Sequence, residues 1–166
     1  MNKSGLHKLL DHLLWADKAV WKTVLSNPKA SEDKYVKNTL FHSSMTIDAF
    51  CYVWNGEEFT IPKNESYSQI EQIKKYSDSA HEKLEKISKD LDKIELDKII
   101  DVPWSKYFEE SSGKQADQTT MLDTIVQVVM HTTYHRGQIN KRLRELEINP
   151  PLVDYITWLW AGKPLT

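Results

Sequence analysis

The stretch TMLDTIVQVVMHTTYHRGQINKRLREL, residues 120–146, decides the fold. At about 100° per residue, a helix through it places Met121, Ile125, Val128, Thr132, Ile139, Leu143 and Leu146 on one face. Thr120, with Asp123 three residues on, spells a capping box at its start. Lys141, Arg142 and Arg144 sit in the last turns, where positive charge offsets the negative helix end, so they need no nucleic acid to explain them. His131 and His135 are four apart, hence about 40° apart along the edge of the apolar face. Two imidazoles there need hydrogen-bond partners or a cation to share, although this spacing also occurs on ordinary helix surface.

Outward from this helix the same periodicity returns. Upstream, Ile70, Ile73, Ser77, Ala80, Leu84, Ile87, Leu91 and Ile94 alternate three and four apart between Lys and Glu, predicting a third long helix with one narrow buried stripe. A first helix spans about Ser4 to Leu25 on Leu6, Leu9, Leu10, Leu13, Val20 and Val24, and Ser26-Asn27-Pro28 stops it. Ser31, followed by Glu32 and Asp33, is placed to cap a second helix running to about Trp54, before Asn55-Gly56. Between Leu40 and Trp54 its only formal charge is Asp48, which puts that helix at the centre of a bundle. From Glu95 to Gln118 the period breaks: Ile100, Val102 and Trp104 alternate like a short strand, Pro103 interrupts, and Ser111-Ser112-Gly113 reads as a turn. Downstream, Asn149-Pro150-Pro151 starts a short fifth helix carrying Tyr155, Ile156, Leu159 and Trp160. The expected architecture is all-α: one domain, residues 1–166, built as a four-helix bundle with an irregular crossover and a short extra C-terminal helix.

Composition narrows the function. The 166 residues are 40% hydrophobic and 28% charged, with 22 Lys plus Arg against 24 Asp plus Glu. That balance argues against a nucleic-acid or anionic-membrane partner. No run of about 18 apolar residues offers a membrane span. The single cysteine and the polar start Met1-Asn2-Lys3-Ser4-Gly5 make the cytoplasm the expected compartment. A chain this long buries roughly 70% of its unfolded surface, so a metal would serve chemistry rather than folding.

A third ligand for a metal beside His131 and His135 must come from another helix. His42 is the candidate, because Tyr35, Met45, Ala49 and Val53 share its face and should turn it inward. His7 and His12 lie five apart, and His81 sits among Lys and Glu; all three read as solvated. Three imidazoles leave at least one coordination position for water or substrate and suit zinc, nickel, copper or iron. Thr132 after His131 excludes the metalloprotease pattern, whose glutamate base is missing, and the chain has no Glu-x-x-His element for a di-iron site. Cys51, with no basic neighbour or helix N-terminus, reads as core. Gln138 falls nearly in line with His131, within reach of the rim of such a site, whereas Arg136 points toward a neighbouring helix, and structural roles are the expectation for both. Asp154 either caps the fifth helix or orients a ligand histidine, with the cap favoured. Val126, Met130, Thr133 and Gly137 form a second apolar and small stripe, for another subunit or for the fifth helix.

The run His131-Thr132-Thr133-Tyr134-His135-Arg136-Gly137-Gln138-Ile139, far downstream of Thr39-Leu40-Phe41-His42, resembles the DinB family of DNA-damage-inducible, metal-binding bundle proteins. Leu14-Trp15-Ala16-Asp17 is similar to that family's aromatic-Trp-Ala-Asn element, and Pro150-Pro151-Leu152-Val153-Asp154-Tyr155 to its Pro-Pro-x-x-Asp ending. Glu147-Ile148-Asn149 stands where a Gly commonly precedes that ending. The resemblance implies an up-down-down-up bundle, a divalent metal, zinc or nickel foremost and iron as an alternative, on His42, His131 and His135, and often a homodimer. Some relatives join a low-molecular-weight thiol such as bacillithiol, mycothiol or glutathione to an electrophile. The expected function is therefore metal binding with thiol S-transfer as the first reading, and a metal-dependent hydrolase or a non-catalytic metal-binding bundle as alternatives. The last reading keeps its place because no second catalytic group is legible. Trp104, Tyr107 and Phe108 are aromatic candidates for shaping the pocket.

Overall fold

The computed structural model describes residues 2–62 and 67–164; residues 1, 63–66 and 165–166, including the first residue of the polar N-terminal run and both ends of the expected 1–166 domain, lie outside them. In chain order the elements are α1 (Lys3–Leu25), α2 (Pro28–Ser31), α3 (Lys34–Asn55), α4 (Ile70–Lys89), β1 (Ile99–Ile100), α5 (Ser105–Ser112), β2 (Thr119–Thr120), α6 (Met121–Glu145) and α7 (Tyr155–Trp160). Four long helices thus carry the fold, as the periodicity requires.

Their directions follow from side-chain pairs. Along α3 and α4, Phe41 meets Tyr76, and Asp48 takes Tyr76 and Lys83, so residue numbers rise together and the two helices are parallel. Between α1 and α4, Trp21 donates to Ser77 and Asp17 meets His81, and Lys3 reaches the Asp92 carbonyl just beyond the end of α4, so numbers run oppositely. Between α3 and α6, Asp33 takes Arg142, Thr46 meets His131 and Trp54 donates to Thr124, again antiparallel. These registers give an up-down-down-up bundle in which α1 packs on α4 and α6, and α3 packs on the same two.

Two apolar clusters fill it. One gathers Leu6, Leu10, Leu13, Ile47, Phe50, Leu84, Ile125 and Val128; the other gathers Val20, Val24, Val36, Leu40, Ile73, Ile139 and Leu143. Between them each helix contributes buried polar residues at one level: Asp17, Ser43 and Ser44, Ser77, Thr132 and Arg136. Such a polar belt is tolerated because its members pair with each other or bond back to their own helix. Trp21 donates to Ser77 at 3.0 Å, Arg136 to Asp17 at 2.7 Å, and Thr132 to the Val128 carbonyl at 2.9 Å.

Helix ends depart from expectation in instructive places. Asp33, not Ser31, caps α3 by accepting from the Val36 amide at 3.0 Å; Ser31 instead donates to the Pro28 carbonyl inside the one-turn α2 that the proline opens. Thr120 and Asp123 form the expected capping box. The third periodic run ends as a helix at Lys89, and Leu91 is buried in a following 3-10 turn. Within 95–118, Ile99–Ile100 pairs antiparallel with Thr119–Thr120, so the strand stops short of Val102. The segment also hides α5, a helix with no buried residue and hence no apolar stripe to announce it. Prolines 150 and 151 precede α7 rather than opening it: residues 150–154 have no regular secondary structure, and within them the Val153 carbonyl is held by His12 of α1. Asp154 takes the N-cap position of α7, although its side chain makes no capping hydrogen bond.

At the end of α6 the Ile148 amide donates to the Leu143 carbonyl at 2.9 Å and the Glu147 amide to Arg144 at 3.0 Å. This double bond pattern normally places glycine at the left-handed position. Here Glu147 holds φ 63°, a conformation that costs a residue with a Cβ about 1 kcal/mol. Glu147 therefore keeps the turn without a glycine, and one residue is strained. Glu147→Gly is expected to raise stability by about 0.5–1 kcal/mol, read as a higher urea midpoint; a lower midpoint would count against the strain.

Candidate metal centre

Antiparallel packing of α3 on α6 brings His42 opposite the His131/His135 pair at the level of the polar belt. One ligand atom from each of the three lies within 4.8 Å of those of the others. Ring centroids are 4.3 Å apart for His131 and His135, 4.8 Å for His42 and His135, and 5.1 Å for His42 and His131. His131 and His135 are half-buried as their edge position requires, but His42 is exposed rather than turned inward. It sits between the buried Phe41 and Ser43 on the outer side of α3, so the cluster opens to solvent at the seam of two helices.

The electrostatics favour a cation. Burial, then His135 and His42, pushes the His131 imidazolium down to about 4, and burial with His135 lowers His42. Near neutral pH these rings keep their lone pairs free. No carboxylate joins the group among the described residues, so a bound divalent ion would keep its charge largely uncompensated. Donor type, number and spacing fit a three-imidazole site with an open position.

Neighbouring side chains hold the rings. His135 Nδ1 donates to the Gln138 carbonyl oxygen at 2.7 Å, so Gln138 reaches the site from one turn along α6, as its place near the rim suggested. Thr46, one turn after His42, lies 3.1 Å from His131 Nε2 and donates to the His42 carbonyl. Sequence reading missed Thr46, whose only signal is its i+4 spacing from His42. Arg136 turns to the opposite side, where it donates to Asp17 at 2.7 Å and to Thr133 at 2.8 Å. Asp17 also meets His81 at 3.1 Å. Burial works against the Asp17 carboxylate, but Arg136 and His81 together hold it below the usual carboxylate range.

The remaining candidates separate from the cluster, and two correct the solvated reading. His12 is buried because the C-terminal segment covers it: its Nε2 donates to the Val153 carbonyl at 2.9 Å, and Tyr155 and Trp158 pack on its ring. His81 is half-buried because the α4 stripe turns its edge toward Asp17 on α1. His7 is half-exposed near Asp92. Cys51 is buried core, and burial with Asp48 pushes its thiol up to about 12. Trp104 stacks edge-on against Phe50, two turns along α3 from His42, while Tyr107 and Phe108 are exposed on α5; the cluster does not draw on them.

A four-helix bundle of this connectivity, with one histidine on its second long helix and a His-x-x-x-His pair on its fourth, defines a class of three-histidine helical proteins. The DinB family model matches residues 1–164, and the chain belongs to the DinB family. No curated protein matches it. None of the described helices is long and apolar enough to cross a membrane.

Asp17 and Arg136 are both buried, so removing one partner strands the other. Asp17→Ala is expected to cost about 3 kcal/mol in urea unfolding. Asp17→Asn, which keeps an oxygen for Arg136, should cost clearly less. Equal losses would show that charge rather than hydrogen bonding holds α1 to α6.

Proposed function

We propose that His42, His131 and His135 bind one divalent ion, zinc or nickel, and that the protein uses it to transfer a low-molecular-weight thiol to an electrophile. The carrying observation is the donor set: three imidazoles and no carboxylate among the described residues, open to solvent at His42. When bound, such an ion favours an anionic fourth partner and lowers the pKa of a thiol or water. A donor set without a carboxylate leaves such an ion attractive to anions, and the exposed side of His42 leaves room for a small molecule. In the transfer the thiol proton passes to solvent and the sulfur–carbon bond forms. The carbon–leaving-group bond breaks with its electron pair on the leaving group.

Hydrolysis is the second reading and would need a general base beside the open position. Thr46 is the polar side chain nearest to His131, and an ordinary hydroxyl is a poor base at neutral pH. A cytoplasmic setting, where small thiols are kept reduced, accords with the transfer reading.

Purified protein should carry about one divalent ion per chain, and His42→Ala, His131→Ala and His135→Ala should each deplete it by elemental analysis. The variants should stay helical by circular dichroism, because two apolar clusters hold the bundle. Metal-loaded protein should accelerate conjugation of bacillithiol, glutathione or cysteine to a halogenated or epoxide electrophile over the His135→Ala control. Ester or amide hydrolysis without conjugation would favour the water-activating reading, and no turnover of either kind a binding role.

A homodimer is also proposed, on the α6 face carrying Met130 and Tyr134, each 65% exposed. Large apolar side chains so far in water are commonly covered by a partner. Met130→Lys should shift the elution volume from dimer to monomer without loss of helicity; an unchanged dimeric volume would exclude this face.

A further inference from the structure

Gln138 is the one side chain bonded to a nitrogen of His135 by hydrogen bonding among the described residues, and it does so at 2.7 Å, through its carbonyl oxygen. The geometry follows from the helix: residues three apart lie on the same side, so the His135 ring and the Gln138 amide meet. Gly137 between them is exposed, and Arg136 is drawn to Asp17 on α1, so neither competes for this nitrogen. A neutral imidazole carries one N–H, and an acceptor at Nδ1 stabilises the form with hydrogen there. Nε2 is then the unprotonated nitrogen.

We propose that Gln138 is a positioning residue for the ion, holding His135 in the Nδ1–H form with the Nε2 lone pair free to coordinate. The affinity consequence rests on the three-histidine metal reading; the tautomer consequence does not. Without the acceptor, neutral His135 divides between its two forms and its ring turns more freely, and both changes weaken coordination. An acceptor bonded to a ligand imidazole also raises the basicity of the coordinating nitrogen. Gln138 lines a cleft with Lys141, so a carboxylate in its place has a positive neighbour and stays at the surface.

The test compares wild type with Gln138→Leu and Gln138→Glu in two measurements. In metal-free protein near neutral pH, nitrogen-15 NMR of the imidazoles should place the His135 hydrogen on Nδ1 in wild type and in Gln138→Glu. The Leu variant should show a mixed population or Nε2–H. Zinc and nickel affinities by chelator competition should fall about 10–100-fold in Gln138→Leu and match or exceed wild type in Gln138→Glu. A general packing role would not move the tautomer and would not be rescued by glutamate. Nε2–H in wild type, or a Leu variant with both unchanged tautomer and unchanged affinity, overturns the proposal. A wild type that binds neither ion would end the metal reading, while the NMR result still decides whether Gln138 sets the tautomer.

Discussion

The buried ion pair between Asp17 and Arg136 is the constraint around which the bundle is arranged. A guanidinium out of water is costly unless it is paired and hydrogen-bonded, and here Asp17 and Thr133 share it while His81 takes the other carboxylate oxygen. The pairing joins α1, α4 and α6 at one level, between two apolar clusters that would otherwise permit small slides along the helix axes. Because Arg136 directly follows His135, fixing one fixes the other. With the guanidinium held toward α1, about 100° of helical rotation carries His135 to the α3 side. The rotation that satisfies a buried charge is thus the rotation that assembles three imidazoles.

The site inherits its character from that level. Apolar layers above and below supply rigidity, whereas the half-buried Gln138 and Thr46 beside the polar belt supply partners for ring nitrogens. His131 and His42 lose affinity for protons through burial and through their neighbours in the cluster, which suits them to a cation rather than to acid–base work as single histidines. A ligand set without negative charge differs chemically from carboxylate-rich bundles, whose ions are largely neutralised before a substrate arrives.

The fold was legible in the sequence wherever one face of a helix is buried by neighbours of similar length. The stripe from Ile70 to Leu84 and the face from Met121 to Leu143 needed only a count of spacings. Legibility failed where burial comes from a distant segment. His12 has nothing on α1 to mark it as buried, since what covers it is Val153, Tyr155 and Trp158. His81 looked solvated among Lys and Glu because its partner, Asp17, lies 64 residues away. The α5 helix escaped because it buries nothing. At the site, helix spacing related His131, His135 and Gln138, and the company on its helix face singled out His42, which the family motif then supported. The exposure of His42 depends on the seam between α3 and α6, and Thr46 is meaningful only once that seam is known.

The first helix obtains most of its packing late in the chain. Its partners on α4 begin beyond residue 70, Arg136 stands 119 residues from Asp17, and Val153 stands 141 residues from His12. During synthesis from the N-terminus, α1 therefore emerges with its apolar stripe bare, waits for α4 at mid-chain for its first long partner, and is fully covered only when α6 and the C-terminal segment follow. Contacts of such long sequence separation carry a high loop-closure entropy and slow the final assembly. The exposed stripe of a nascent α1 is in the meantime a natural surface for chaperones to hold, so the order of the chain sets a demand on the cell that the finished bundle does not reveal.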